Sequence, residues 1–302
     1  MKKLIKIISF LLINLLNQSF AMEQIEKQDL RDLFVVSGVF VKHSTKYGYY
    51  LFDKRDHEAC KKPKGSFALM DHEGGVVRRF NSNLPPAKTF TKNEKEHISH
   101  WEEDIKYIKS KCIDLVLGPT TDVNLFSRSY SNEYSINFQS VSLISDIFQK
   151  YNIKFTVKHF PGVGFYCYPY QNKWEIQICN DPLILFEEQF EYLEKHKDIK
   201  SVMISNNTYL LFSETISSSN PEIYKKIDEI GEYFKIVDSQ DELTKTPSTE
   251  NWITMILNAD AIIYQIPNKV EKVIEHVLPI INSNPEYIDI IQSKKQRKLN
   301  FF

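Results

Sequence analysis

The chain has 302 residues, of which 25% are charged, and its formal net charge at pH 7 is −1. Because this balance leaves no excess of basic side chains, we do not expect nucleic acid as a partner. The four cysteines show no CxxC spacing, so we expect no metal site and no cofactor.

The first 21 residues have the three parts of a secretory signal peptide. Two lysines follow Met1, an apolar run covers residues 5–16, and Ser19 and Ala21 supply the small residues that a signal peptidase recognises. A membrane-spanning helix is the alternative, but the run is shorter than the roughly 20 residues that a bilayer requires. We therefore predict cleavage after Ala21, export to the periplasm or beyond, and no stable membrane span afterwards. In an exported protein Cys167 and Cys179, the nearest pair, are candidates for a disulfide, with buried free thiols as the alternative.

Short apolar runs alternate with longer segments of helical period along the rest of the chain. The runs predict buried parallel strands at residues 34–41, 67–70, 113–117, 153–157, 201–205, 235–237 and 261–264. Amphipathic segments predict helices at residues 94–111, 141–150, 182–195, 221–232 and 250–258. Repeated β-α units in a chain of this length favour an α/β fold, a (β/α)8 TIM-type barrel, with a doubly wound open sheet as the second choice. We predict one barrel domain over 22–292, and a solvated, polar basic tail over 293–302.

Polar residues and glycines follow five of the predicted strands. They occur at residues 70–75 (MDHEGG), 118–124 (GPTTDVN), 158–162 (KHFPG), 205–207 (SNN) and 238–242 (DSQDE). In a (β/α)8 barrel the loops after the strands line one shared mouth, where barrel enzymes carry out their chemistry. Glycine serves where the backbone turns tightly or approaches another group closely. The sequence therefore predicts a functional mouth.

These segments also carry a family resemblance. Residues 70–80 read MDHEGGVVRRF, which resembles the D-x-E-G-G-x-V-x-R-F signature of glycoside hydrolase family 3 and its N-terminal barrel domain. Within that family the stretch is most similar to single-domain bacterial β-N-acetylglucosaminidases, a type of β-N-acetylhexosaminidase that trims peptidoglycan fragments. Further similar segments follow in the family's order, namely LGPTTDVN at 117–124, RSY at 128–130, KHFPGVG at 158–164, VMISNNTY at 202–209 and NADAII at 258–263. The likeness covers roughly residues 35–270.

The resemblance implies a carbohydrate site at the barrel mouth. Asp71 would accept hydrogen bonds from sugar hydroxyls, and four cationic side chains would hold the other hydroxyls or the N-acetyl group of a bound hexosamine. These four are Arg79, Arg128, Lys158 and His159. Charged groups suit this role because they make the stronger hydrogen bonds. The implied partner is an N-acetylglucosamine-containing glycan, such as a cell-wall fragment.

The resemblance also implies a nucleophile. The family reaction is a retaining hydrolysis, in which an aspartate at the end of the seventh strand attacks the anomeric carbon. Alignment of the family's S-D-D-L segment without gaps from Phe234 places Asp241 at that position. Asp238 is the second choice, because it directly follows the predicted strand 235–237. A third interpretation leaves the chain without a functional nucleophile.

The general acid is where this sequence departs from the family pattern. Related glucosaminidases carry D-S-H in the loop after K-H-F-P-G-H-G, where the Asp orients a His that transfers the proton. Alignment places Pro169 and Gln171 at these two positions, and neither side chain titrates near neutral pH. Glu175 in the same loop is either a replacement acid or a solvated charge. The aromatic residues around it are either a sugar-stacking platform or part of the barrel rim.

Three functions remain open on this basis. The first is an exported, retaining β-N-acetylhexosaminidase that is slowed by the missing acid, a loss typically worth about 10²- to 10⁴-fold in rate. The second is a catalytically inactive relative that binds the same glycans. The third is a barrel of this ancestry whose surface serves another partner. The intact set of predicted sugar contacts without the proton donor motivates the second, and we favour the first as the class assignment.

Overall fold

The computed structural model describes residues 24–37, 48–51, 67–75, 77–80, 82–111, 113–123, 127–162, 167–170, 173–179, 183–206, 208–209, 217–243 and 246–302. Its strands in chain order are β1 Phe34–Ser37, β2 Gly48–Leu51, β3 Ala68–Asp71, β4 Leu115–Thr120, β5 Phe155–Phe160, β6 Cys167–Tyr170, β7 Lys173–Cys179, β8 Ser201–Ile204, β9 Thr208–Tyr209, β10 Phe234–Val237 and β11 Ala261–Ile263. Its helices are α1 Lys27–Arg31, α2 Glu94–Ser110, α3 Tyr134–Lys150, α4 Leu183–Lys195, α5 Pro221–Ile230, α6 Thr249–Asn258, α7 Pro267–Asn282 and α8 Pro285–Phe301.

Parallel strands form a closed barrel in the order β1-β11-β10-β8-β5-β4-β3-β2. The barrel closes because β1 pairs with β11 on one side and with β2 on the other. The predicted (β/α)8 barrel is confirmed, and the alternative of an open doubly wound sheet is excluded. All seven predicted strands lie in the barrel. The sequence missed β2, because its four residues form no extended apolar run.

Side chains alternate along each strand between the barrel interior and the surrounding helices. The interior cluster includes Leu69, Leu115, Leu117, Met203, Phe234 and Ile236, whereas Met70, Val116, Val202 and Val237 belong to the larger cluster between strands and helices. Asp71 lies two positions after Leu69 on β3, and Asp238 lies two positions after Ile236 on β10, so both follow the inward-facing period. The period that fills the barrel with apolar residues therefore directs carboxylates into its carboxyl end.

The helices cover the outside of the barrel with apolar faces. Helix α5 shows how its sequence fixes its start. Asn220 lies at the N-cap and its side chain accepts a hydrogen bond of 3.0 Å from the backbone N–H of Glu222, while Pro221 occupies the first turn. Both residue types favour a helix N-terminus. The helix then buries Ile223, Tyr224 and Ile227.

A small sheet, ordered β6-β7-β9, lies in the connections that follow β5 and β8. Strands β6 and β7 are antiparallel, and Cys167 is the register partner of Cys179. The sequence did not predict these strands, because Pro169 within β6 and the charged residues of β7 give no apolar run. Both connections leave the carboxyl ends of barrel strands, so this sheet belongs to the functional face.

The predicted solvated tail over 293–302 was wrong, because helix α8 continues to Phe301. Lys294 is 2% exposed, and its Nζ donates to the carbonyl oxygens of Ile256 and Ala259. Phe301 stacks on Phe234 with ring centroids 4.3 Å apart. The charge pattern was misleading because backbone carbonyl oxygens accept hydrogen bonds from the ammonium group of Lys294, which allows its aliphatic stem to be buried. This helix end covers the amino-terminal side of the barrel, opposite the mouth.

Residues 1–21, the predicted signal peptide, lie outside the described residues. Among the helices that the structure describes, none combines the length and the hydropathy needed to cross a membrane.

Candidate active site

Lys158 on β5 is the centre of a buried cluster of ion pairs at the carboxyl end of the barrel. Its Nζ contacts the carboxylate of Asp71 and lies 2.5 Å from Oε1 of Glu73. The Lys158 side chain is only 3% exposed. Burying an ammonium group is costly, and the carboxylates of Asp71 and Glu73 offset that cost for Lys158. These two contacts use two of the three N–H groups of Lys158.

Two arginines complete this cluster from the outside. Arg79 donates from Nη2 to Oδ2 of Asp71 at 2.7 Å. Arg128 binds Glu73 in a bidentate pair, in which Nε and Nη2 each lie 2.7 Å from a carboxylate oxygen. Both arginine side chains retain some exposure, 19% for Arg79 and 30% for Arg128. The structure therefore brings together four of the five predicted sugar contacts in one charged cluster.

The cluster holds its members in their charged forms. Burial raises the pKa of Glu73, but the positive charges of Arg128 and Lys158 outweigh it and the net pKa lies below the usual range. Burial likewise raises the pKa of Asp71, and Lys158 and Arg79 bring it below its usual value. For Lys158, burial lowers the pKa, yet Asp71 and Glu73 raise it above the ordinary value. The mouth therefore presents fixed charges near neutral pH.

His159, the fifth predicted contact, lies between two aspartates. Its Nδ1 is 2.7 Å from Oδ2 of Asp122, and its Nε2 is 3.5 Å from Oδ2 of Asp238. Asp122 is fully buried and also accepts a hydrogen bond of 2.8 Å from the hydroxyl of Thr120. Burial lowers the pKa of His159, but the Asp122 charge and hydrogen bond, followed by the Asp238 charge, raise it above its usual value. A protonated imidazole is therefore favoured at this position.

The two nucleophile candidates occupy different environments. Asp238 follows β10 on the inward side, and its Oδ2 faces the imidazole of His159. Asp241 instead belongs to the short 3₁₀ helix Gln240–Glu242, where its carboxylate accepts from the backbone N–H of Gln265 and from Nζ of Lys269 at 3.0 Å. The geometry therefore favours Asp238, our second choice from sequence, over Asp241. The gapless alignment fixed the spacing from Phe234 but took no account of the direction of the side chains.

Buried amides fix the turn that presents Asp238. The Asn206 amide donates to the carbonyl oxygen of Ser239 at 2.9 Å. Nε2 of Gln240 donates to Oδ1 of Asn206 at 2.8 Å and to the carbonyl oxygen of Asp238 at 2.9 Å. Asn206 therefore supports the strand-end turn.

A second network anchors the loop that carries Asp71 and Glu73. Nε2 of His72 lies 2.9 Å from Oδ2 of Asp104, which also accepts from the hydroxyl of Ser82. Gly118 on the neighbouring strand has φ +152, and a Cβ there would lie 2.5 Å from the carbonyl oxygen of His72. Only glycine permits this close approach of two strand ends. This network therefore holds in place the loop that carries the ion-paired residues Asp71 and Glu73.

The positions aligned with the family's acid/base are described only in part. Pro169 lies in β6, where Gln177 is its register partner, and Glu175 lies in β7. Gln171 lies outside the described residues. The sequence, with Pro169 and Gln171 at these positions, predicts that no acid is present there.

Sequence reasoning gave no separate role to Glu73 or Asp122, although both lie in the motifs that it selected. Glu73 joins Lys158 to Arg128, and Asp122 orients His159. A signal for Glu73 existed, because residues 69, 71 and 73 follow the period of two that points side chains to one face of an extended segment. The sequence contained no comparable signal for the contact between Asp122 and His159, since this contact depends on the packing of β4 beside β5.

Solved structures with the same fold are numerous, although no protein-family model and no curated protein matches the sequence. A β-N-acetylhexosaminidase from Beutenbergia cavernae has a TM-score of 0.71 at 15% identity, with 93% of this chain and 98% of that one covered. A glycosyl hydrolase of the GH3 family from Mycobacterium smegmatis has a TM-score of 0.71 at 15% identity, covering 89% and 95%. A family 3 β-N-acetylglucosaminidase from Paenibacillus sp. has a TM-score of 0.73 at 16% identity, covering 92% and 63%. At this identity the likeness establishes the fold, and the predicted resemblance is confirmed at that level.

Proposed function

We propose that this chain, whose barrel has the fold of glycoside hydrolase family 3 enzymes, is a retaining hydrolase of N-acetylhexosamine-containing glycosides. The observation that carries the proposal is the arrangement at the barrel mouth, where Asp71, Arg79, Arg128 and Lys158 belong to one charged cluster and His159 faces Asp238. A hexosamine presents hydroxyl and amide groups in a fixed ring geometry, which a rigid set of charged donors and acceptors matches. Cell-wall fragments are the substrate class that we propose.

In the proposed reaction, the Asp238 carboxylate attacks the anomeric carbon. The bond from that carbon to the leaving oxygen breaks, and the oxygen departs with the electron pair. Water then attacks the anomeric carbon of the resulting glycosyl ester. Its hydroxyl stays on the released sugar, its proton passes to the leaving-group anion or to solvent, and the carboxylate is regenerated. Because Pro169 and Gln171 cannot donate a proton, we expect the first step to depend strongly on the leaving group.

The test uses an aryl N-acetyl-β-glucosaminide whose phenol departs without protonation. We expect turnover by the wild-type protein and a loss of at least about 10³-fold in kcat for Asp238→Asn. Asp241→Asn is the matched control, because it changes a carboxylate three positions along that contacts Lys269 and Gln265. A loss in Asp241→Asn with full activity in Asp238→Asn would contradict the assignment of the nucleophile.

The substitution of the acid/base positions by Pro169 and Gln171 supports a second candidate function, glycan binding without hydrolysis. It predicts no turnover of the aryl glycoside together with measurable binding of N-acetylglucosamine by calorimetry. Absence of both turnover and binding would contradict both candidates and leave a barrel that serves another partner. Export, which we propose from residues 1–21, is tested by N-terminal sequencing of the mature protein.

A further inference from the structure

The environment of His159 makes the charge of its ring depend on the protonation of one nitrogen, Nε2. Asp122 is buried and lies 2.7 Å from Nδ1, so this carboxylate accepts the Nδ1 proton and selects the tautomer. With Nδ1 protonated in both states, Nε2 carries a proton only when the ring is an imidazolium. Nε2 is the nitrogen that faces Oδ2 of Asp238, 3.5 Å away. Protonation of His159 therefore places a positive N–H group against Asp238, and deprotonation places a lone pair there.

The charges around the ring favour the protonated state. Among the residues that the structure describes, the carboxylates that face it are Asp122, from the segment after β4, and Asp238, from the segment after β10. Arg128 is the opposing positive charge, but it is committed to Glu73 through two hydrogen bonds of 2.7 Å. Burial lowers the pKa of His159, but Asp122 and Asp238 raise it by more than burial lowers it. The net pKa therefore lies above the ordinary value, consistent with this arrangement.

We propose that His159 is a positioning residue that holds the Asp238 carboxylate aimed into the barrel mouth, with Asp122 as the fixed support of the imidazolium. This role goes beyond holding a sugar hydroxyl. It rests on the proposed function only where it treats Asp238 as the nucleophile, because the coupling of the two side chains is a property of the ligand-free protein. The three residues act as one unit, in which the buried carboxylate of Asp122 orients the His159 ring and the ring orients the carboxylate of Asp238.

The same distance argues against His159 as the missing general acid. In retaining glycosidases the nucleophile and the acid stand about 5–5.5 Å apart, because they act on opposite sides of the glycosidic bond. The 3.5 Å between Nε2 and Asp238 places His159 beside the nucleophile. The ring therefore places its positive charge beside Asp238, and another group would have to assist the departure of the leaving group.

An NMR titration of the His159 ring tests the coupling without any need for turnover. We expect Asp238→Asn to lower the pKa of His159 by about one unit, and Asp122→Asn to lower it further, because the contact with Asp122 is the closer one. Asp241→Asn is the matched control and should leave the pKa unchanged. Thermal unfolding confirms that each variant is folded. An unchanged His159 pKa in Asp238→Asn would overturn the proposal.

A pH profile with the activated aryl glycoside gives the kinetic test. The wild-type rate should fall at alkaline pH with a midpoint at the pKa that NMR gives for His159, since Asp238 loses its cationic partner there. Asp122→Asn should move this midpoint to lower pH, and His159→Gln should remove it while lowering the rate at all pH values. A midpoint that stays fixed in Asp122→Asn would also overturn the proposal. If the wild type shows no turnover, the proposed hydrolase function fails and the NMR titration alone decides the coupling.

Discussion

Arg128 and Glu73 form a bidentate ion pair, in which both guanidinium donors lie 2.7 Å from a carboxylate that is 1% exposed. The same carboxylate lies 2.5 Å from Nζ of Lys158. Glu73 therefore joins two of the four cations that the sequence assigned to the sugar. Its position explains how a lysine that is almost completely buried keeps a fixed place at the barrel mouth.

Glu73→Gln is expected to destabilise the protein by about 3–5 kcal/mol at pH 7, because two buried or half-buried cations lose their shared counter-charge. The pKa of Glu73 lies below its usual range in the folded state. Its stabilising contribution is therefore complete above the unfolded-state pKa of about 4.3 and is lost as the pH falls below it. Denaturant unfolding across acid pH should show a flatter pH dependence for Glu73→Gln than for the wild type. Glu102→Gln, which breaks a surface pair with Lys150, is the control and should leave the unfolding midpoint unchanged.

Arg128→Lys is expected to weaken binding of N-acetylglucosamine by about tenfold, although it conserves the charge. A lysine cannot reproduce the two parallel hydrogen bonds to Glu73, so the group that faces the sugar loses its fixed orientation. Isothermal calorimetry measures the affinity. Arg78→Lys is the matched control, because Arg78 is exposed and donates to the carbonyl oxygen of Ser82. Equal affinities of Arg128→Lys and the wild type would show that Arg128 does not contribute to the sugar site.

Phe301→Ala is expected to lower the free energy of unfolding by about 2 kcal/mol, less than for a fully buried phenylalanine. Its ring stacks on Phe234 at 4.3 Å and packs against the interior cluster of the barrel. Leu299→Ala, two positions earlier and 75% exposed, should change stability by less than about 0.5 kcal/mol. Equal effects of the two substitutions would contradict a role for Phe301 in closing the barrel.

Oxidised protein is expected to contain a disulfide between Cys167 and Cys179. The two residues are register partners in an antiparallel pair, which places their Cα atoms about 4.5–5.5 Å apart. This separation falls within the range of about 4.4–6.8 Å for disulfides. Peptide mapping without reductant should recover the linked pair, and Cys60→Ser with Cys112→Ser should leave it intact. Complete alkylation of both thiols in unreduced protein would favour the alternative of free thiols.

The apolar strands were predictable because buried parallel strands leave a local pattern. The runs that contain Phe34, Val116 and Ile262 are apolar on both faces, and each became a barrel strand. The polar strand ends were predictable for the same reason, since parallel connectivity brings all carboxyl ends to one side. Asp71 and Lys158, which are 87 positions apart, meet there.

The sequence by itself therefore determined the barrel, the face that carries the chemistry, and the charged residues at that face. Tertiary structure alone decided which carboxylate faces His159, because the choice between Asp238 and Asp241 depends on side-chain direction and on the helix that follows. It also decided that Lys294 is buried, because backbone carbonyl oxygens distant in the sequence accept hydrogen bonds from its ammonium group. Local patterns record period and polarity, whereas the partner of a charge is set by the packing of segments far apart in the chain.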